Sequence, residues 1–572
     1  MSESMVDATA TRSGEQRTAR MTGGQAVVAA LAAHGVDVAF GIPGTHNLEI
    51  YRHLGDHGIR HVSPRHEQGA GYAADGYARS CGRPGVAIVT SGPAVLNATA
   101  ALGQAYSDSI PILVVSPGLP VRHPALGNGI LHETKNQGAA VASVAAASIR
   151  ATSVAEIPVA VAQAFAIMRS GRPRPVHLEI PLDVLAEEGE VTIATGATAA
   201  PVAAPAEAVA AAADLLAGAV RPVLLVGGGA RWAAPQVRAL AERLGAPVVT
   251  TTNGKGVLPE DHPLALGAGI HLASVAALVA EADVVVAIGT ELAPSDLWNG
   301  PLPITCPVVR VDIDPVGVVT NLVPGVALVG DAARTLDDVL AALNPDRMPL
   351  SSQPADRSQP ADGVDRDAAG TAAQWRSRKD GDAATEGAEW LEIVGALADA
   401  LPRDAILAGD SAMVCYYGAI ANLPAYQPSS FLYPVGFGTL GYGLPAAIGA
   451  KVAHPDRPVV ALLGDGGVMF TVAELATAAG LGQPLPVVIV DNSGYGEIRN
   501  EMIDRDDPVR AVTFPAPDFA ALGRALGCHG VTVTAASSLA DAVREALAAD
   551  TTTVIHVIHT DPASTIAEGA RP

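Results

Sequence analysis

Short apolar runs rich in valine, isoleucine and leucine recur along the chain, separated by Ala-rich stretches, and this alternation most constrains the fold. Each run is too continuous for a half-exposed strand and too short for a helix, so each reads as a strand buried on both faces. Val36 to Phe40, Val86 to Thr90, Ile112 to Ser116 and Val176 to Ile180 form a first group. Pro222 to Val226, Pro247 to Thr250, Val284 to Ile288 and Val308 to Asp312 form a second. Ala405 to Ala408, Val459 to Leu463, Val487 to Val490 and Val554 to Val557 form a third. Strands separated by helices indicate doubly wound parallel sheets, and 572 residues are too many for one core. The expectation is an α/β chain of three doubly wound parallel-sheet domains. Its parts are a disordered arm (1–20), a first domain (21–186), a Thr-, Ala- and Pro-rich linker (187–205), a central domain (206–345), a flexible connector (346–387) and a third domain (388–572).

Composition narrows the class of partner. The chain is 49% hydrophobic and 16% charged, with a formal net charge of −22. That balance is a poor match for nucleic acid or an anionic membrane, so neither is expected as a partner. The four cysteines (Cys81, Cys306, Cys415, Cys528) form no C-x-x-C pair, which fits reduced thiols better than a zinc site or a disulfide framework. The polar N-terminal stretch lacks the apolar segment of a secretory signal, and no run has the length and flanks of a membrane span. A cytoplasmic location is expected.

Within the third group, Leu462-Leu463-Gly464-Asp465-Gly466-Gly467 ends one strand, and Asp491-Asn492-Ser493-Gly494-Tyr495-Gly496 ends the next. Asn492 lies 27 residues after Asp465. Adjacent parallel strands deliver the loops at their carboxyl ends to one edge of the sheet, where open α/β sheets bind ligands. A carboxylate and a carboxamide there are hard oxygen ligands suited to magnesium or calcium, with diphosphate oxygens and water completing the shell. Glycines at the turn let backbone N–H groups approach an anion at a helix N-terminus. Gly-Asp-Gly alone would be no more than a tight turn; the whole strand–turn–helix–strand–Asn arrangement is far more restrictive.

With that arrangement the chain resembles the thiamine diphosphate (ThDP) enzymes of the acetolactate synthase, pyruvate oxidase and 2-oxo acid decarboxylase group. The resemblance assigns the side chains of Asp465 and Asn492 and the carbonyl of Gly494 to Mg2+. It places Gly464, Gly466, Gly467, Tyr495, Gly496 and Ile498 around the cofactor, and Gly409, Asp410 and Ser411 near the diphosphate. Asp491 stands where the family usually has a first asparagine. In Arg65-His66-Glu67-Gln68-Gly69, Glu67 reads on its own as an acidic residue countering a helix dipole. The resemblance implies instead the glutamate that bonds the pyrimidine ring and promotes loss of the thiazolium C2 proton. Pro43, Thr90, Pro93 and Asn97 then border the cofactor rings, with Ala94 where relatives carry a second glycine. In Gly436-Phe437-Gly438-Thr439-Leu440-Gly441, Leu440 takes the wedge position that keeps the cofactor bent, and Gly438 supplies a carbonyl.

The first domain is thus expected to bind the pyrimidine and the third the diphosphate. The middle domain carries Val226-Gly227-Gly228-Gly229-Ala230, a weak nucleotide fingerprint without a complete G-x-G-x-x-G, so a nucleotide-binding dehydrogenase is a remote alternative. Glu291 to Leu297 replaces the segment found in FAD-containing relatives, and FAD is not expected. Because Glu67 and the diphosphate site lie in separate domains, the family's geometry pairs them across subunits, implying a homodimer or homotetramer.

For the substrate, His46 on the first strand-end loop is a candidate acid/base or a loop cap. His132 replaces a glutamine of acetolactate synthases, and Glu501 lies on the helix after the metal loop. The motifs GIPGTHN, LHETKNQ and GYGEIR look most like the branch containing 5-guanidino-2-oxopentanoate decarboxylase. The implied activity is non-oxidative decarboxylation of a small-molecule 2-oxo acid, with carboligation to a second carbonyl compound as the alternative. A guanidinium substrate would want carboxylates, for which Glu133, Glu501 and Asp504 are candidates.

Overall fold

The apolar runs fold as the interior strands of three six-stranded sheets in which every pairing is parallel. The computed structural model describes residues 17–124, 127–193, 200–343 and 366–559. The first sheet runs Arg60–Val62, Val38–Gly41, Gly85–Ile88, Ile112–Gly118, Val176–Pro181, Ala147–Arg150. The third runs Phe431–Leu432, Ile406–Gly409, Val459–Gly464, Leu485–Asp491, Thr552–Ile558, His529–Val533. Numbered within each domain, both have the order 2-1-3-4-6-5, so one topology is used twice. The central sheet runs Ala265–Ala268, Val248–Thr250, Pro222–Val226, Val284–Ile288, Val308–Asp312, Val326–Val329, the 3-2-1-4-5-6 order of dinucleotide-binding folds. Its glycine run packs against the next strand end, Gly229 N–H donating to the Gly289 carbonyl at 2.9 Å.

Two expectations about connecting segments are corrected. Part of the expected arm and part of the first linker pair as antiparallel strands, Arg17–Thr22 with Glu188–Ile193. Polar and apolar residues alternate there, so Met21, Val191 and Ile193 meet the core of the first domain while Arg20 and Glu188 form an exposed ion pair. The second half of the expected connector is a helix, Arg366–Glu386. Its sequence is polar nearly all round, and three residues (Ala372, Trp375, Ala383) seat it on the central core. Arg376 adds hydrogen bonds to the carbonyls of His262, Pro263 and Ala265. Residues 1–16, 194–199 and 344–365 of those segments lie outside the described residues.

The first and third domains meet through helices Glu67–Cys81 and Gly443–Ala453, which approach so closely that a side chain at either contact glycine would strike backbone. A Cβ at Gly76 would lie 2.2 Å from the Ala446 carbonyl oxygen, and one at Gly449 would lie 1.9 Å from that of Ala73. At the end of this seam Arg79, 2% exposed, pairs with Asp75 and Asp108 and donates to Asn253 of the central domain. Among the described residues no helix is long and apolar enough to cross a membrane, and all four cysteines are free.

Candidate active site

In the third sheet, Ile406–Gly409 and Val459–Gly464 flank the point where the strand order reverses, the usual ligand position in such sheets. Loops leaving these strands and Leu485–Asp491 enclose a cavity of about 320 Å³. Ser411, Gly438, Leu440, Gly464, Gly466, Gly467, Tyr495, Gly496 and Ile498 line it, together with Asp465, Asn492 and Gly494. The sequence therefore brings the expected diphosphate and metal residues to one place.

Asp465 Oδ1 and the Gly494 carbonyl oxygen both face one terminal atom of the Asn492 amide, each at 3.0 Å. With its nitrogen turned there, the amide donates to both oxygens; with its oxygen turned there, three acceptors meet and need a positive group between them. Ligands about 2.0–2.1 Å from an octahedral Mg2+ stand about 2.9 Å apart along an edge, so the spacing fits that ion. Asp465 is 1% exposed, and burial, reinforced by the neighbouring Asp491 charge, pushes its carboxyl up to about 6. A cation would relieve that cost. Asp491 points away from the cluster, accepting from Ser493 N–H at 2.9 Å and pairing with His556 at 3.0 Å, so the departure from asparagine has a structural use. Gly494, at φ +150°, admits no side chain: a Cβ would lie 2.0 Å from the Val512 carbonyl oxygen.

Gly409 and Asp410 stand apart from the expectation of diphosphate contact, since neither lines the cavity. The buried Asp410 carboxylate accepts from Gly441 N–H at 3.0 and 3.1 Å and from Ser411 N–H at 2.8 Å. Its role is to fold the loop that carries Leu440. Backbone donors facing a strand end satisfy a buried carboxylate without any ligand.

The remaining expected residues form a second group on the first domain. Glu67 opens its helix, and Asn97 Nδ2 donates to Glu67 Oε2 at 2.9 Å. Glu474 of the third domain, 1% exposed, accepts from the N–H groups of Arg65 and His66 at 3.0–3.1 Å, fixing the turn into that helix. His46 Nδ1 lies 2.6 Å from Ser91 Oγ, which lies 3.5 Å from His132 Nδ1, and the two rings stand edge to face at 4.9 Å. Burial, with the second imidazole beside it, lowers the affinity of His46 for a proton. Pro43 and Pro93 are exposed, and Thr90 Oγ1 is buried without a hydrogen-bond partner. None of these residues lines the cavity of the same chain. Glu501 also lies outside it, exposed and paired with Arg505 at 3.5 Å.

Three site residues escaped the sequence reading. Ser91 and Glu474 had a signal: each is a polar residue in an apolar segment that folding must satisfy. Glu497 lines the cavity and accepts from Tyr417 Oη at 2.9 Å. At a helix start it looks like a dipole-compensating carboxylate, and nothing local marks it as a cavity residue.

Comparison with known proteins matches three family models: the N-terminal TPP binding domain of thiamine pyrophosphate enzymes (residues 21–151), their central domain (209–339) and their C-terminal TPP binding domain (412–557). The chain is 46% identical to a probable 2-ketoarginine decarboxylase of Pseudomonas aeruginosa over 89% of both chains. It is 34% identical to the acetolactate synthase large subunit of Parasynechococcus marenigrum, over 94% of this chain and 87% of that one. It is also 34% identical to the acetolactate synthase isozyme 2 large subunit of Escherichia coli, over 94% and 95%.

Proposed function

This chain belongs to the thiamine pyrophosphate enzymes, and from that premise we propose that it decarboxylates a 2-oxo acid non-oxidatively, giving an aldehyde and carbon dioxide. The candidate substrate is 5-guanidino-2-oxopentanoate (2-ketoarginine), on the strength of the Pseudomonas relative. The observation that carries the cofactor reading is the convergence of the Asp465 carboxylate, the Asn492 amide and the Gly494 carbonyl in the cavity at the mouth of buried strands. Those groups would hold Mg2+, with Gly464, Gly466 and Gly467 turning backbone toward the diphosphate.

Bound ThDP supplies a carbon nucleophile and an electron sink, which a 2-oxo acid needs to lose carbon dioxide. Glu67 is the group assigned to the pyrimidine ring, its carboxylate held by Asn97 and its helix start by Glu474. Leu440, which lines the cavity, would give the bound cofactor an apolar support. His46 and His132, joined through Ser91, form a path along which a proton can move between neighbouring rings. Pro43, Glu67, Thr90, Pro93 and Asn97 complete the cavity of a partner subunit in a homodimer or homotetramer. The four free cysteines support a cytoplasmic location.

A second reading, carboligation, is supported by the acetolactate synthase relatives. Carbon dioxide and product analysis over a panel of 2-oxo acids, with and without acceptor aldehydes, separates the two. Stoichiometric aldehyde supports decarboxylation; acyloin as the sole product favours the second reading.

A further inference from the structure

The cavity carries one side chain whose chemistry the cofactor does not call for. Glu497 opens the helix Gly496–Asp504, directly beyond the metal-candidate loop, and its carboxylate faces two phenols. Tyr417 Oη donates to Glu497 Oε1 at 2.9 Å, and Tyr416, which also lines the cavity, stands close enough to feel the same charge. Among the described residues no lysine or arginine pairs with it. The Tyr416 and Tyr417 rings stand 4.7 Å apart, and Trp298 meets both edge-on at 6.3 and 6.0 Å. Glu386 and Asp504 lie close enough to add their negative charge at Tyr417.

Glu386 is already paired with His271 at 2.9 Å, whose ring covers one face of Trp298 at 3.9 Å. Glu497 is therefore the carboxylate left facing the cavity beside aromatic rings, with a neutral donor as its partner, and a cation entering there would be held. A compact ammonium would be drawn by charge alone. A planar guanidinium gains more, because it can bond a carboxylate with two N–H groups and stack on aromatic rings.

We propose that Glu497, backed by Tyr416, Tyr417 and Trp298, is the specificity-determining residue that receives the guanidinium end of a cationic 2-oxo acid. The inference rests on the decarboxylase reading and adds the group that selects the substrate.

The test compares 5-guanidino-2-oxopentanoate with uncharged 2-oxohexanoate on wild-type and Glu497→Gln holoenzyme. Loss of the charge should lower kcat/KM for the guanidino acid by roughly 10–100-fold, as expected for a hydrogen bond to a charged group, and at least tenfold more than for 2-oxohexanoate. Binding supplies a readout independent of turnover: by calorimetry, wild-type holoenzyme should hold 5-guanidinopentanoate more tightly than 6-aminohexanoate or hexanoate, and Glu497→Gln should erase the difference. Equal loss on both substrates, together with weakened ThDP binding, would assign Glu497 to the cofactor's cationic ring and overturn the proposal. Tighter binding of 6-aminohexanoate would overturn the choice of guanidinium. Release of no carbon dioxide from any 2-oxo acid would sink the decarboxylase reading itself. Release from both acids with discrimination untouched by Glu497→Gln would sink this inference alone.

Discussion

Asn97 holds the carboxylate of Glu67 from the end of the short helix Pro93–Asn97, Nδ2 to Oε2 at 2.9 Å. The bond orients the acid proposed to meet the pyrimidine ring. Glu67→Gln should lower carbon dioxide release by about 10²–10⁴-fold, the range for removing a positioned acid or base, with the fold retained by circular dichroism. Asn97→Ala should cost roughly 10–100-fold, since it removes one hydrogen bond to a charged group. An Asn97→Ala loss as large as that of Glu67→Gln would contradict this ranking.

The metal-candidate loop is tested by backbone rather than charge. Gly494→Ala places a Cβ 2.0 Å from the Val512 carbonyl, so the loop must move and carry the Gly494 carbonyl out of the oxygen cluster. Saturating ThDP and Mg2+ should raise the melting temperature of wild type, a ligand at 100 times its Kd contributing about 2.7 kcal/mol. In Gly494→Ala most of that increment should vanish, over and above any fall in the ligand-free melting temperature that the strained Cβ brings. An undiminished increment would remove the loop from the cofactor site.

Acid sensitivity has a buried source in the first sheet. His177, fully buried, bridges Ser116 and Ser148 at 2.8 Å on each side, and burial pushes its proton affinity down to about 4. Its folded value lies below the ordinary 6.5, so its contribution to stability is full above 6.5 and is lost as pH falls toward 4. The loss amounts to on the order of 3 kcal/mol. Urea unfolding across this window should show a steeper acid decline for wild type than for His177→Asn, which cannot protonate. Parallel curves would show that another group governs the decline.

Shared active sites predict rescue between dead variants. Glu67→Gln spoils one contribution to a site and Asp465→Ala the other, so a mixed dimer holds one doubly damaged site and one intact site. Random reassortment of a two-fold dimer should restore about a quarter of wild-type activity. No recovery after verified subunit exchange would place both groups in the cavity of a single chain.

Legibility in the sequence tracks burial. Strands such as Val459–Gly464 and Leu485–Asp491 are covered on both faces, so their residue choice is narrow and visible. The strands that escaped notice within the three sheets are their edges. His529–Val533 and Ala147–Arg150 are half exposed, with polar residues tolerated along them, while Phe431–Leu432 is two residues long. The repeated 2-1-3-4-6-5 order was invisible for a related reason, because topology can persist where side chains share only burial. At the site, Gly464-Asp465-Gly466 and Asn492 were legible because the metal proposed there would need oxygens at fixed spacing. Glu497 was not, because its meaning comes from Tyr417 some eighty residues away, brought near only by the fold.

The central claim is that turnover belongs to ThDP and a divalent metal held by this chain. The direct measurement is carbon dioxide release from 5-guanidino-2-oxopentanoate by protein dialysed free of both, before and after ThDP and Mg2+ are restored. Release should be absent after dialysis, return when both are added and remain absent in Glu67→Gln. Undiminished release from dialysed protein, or full release by Glu67→Gln, would contradict the account.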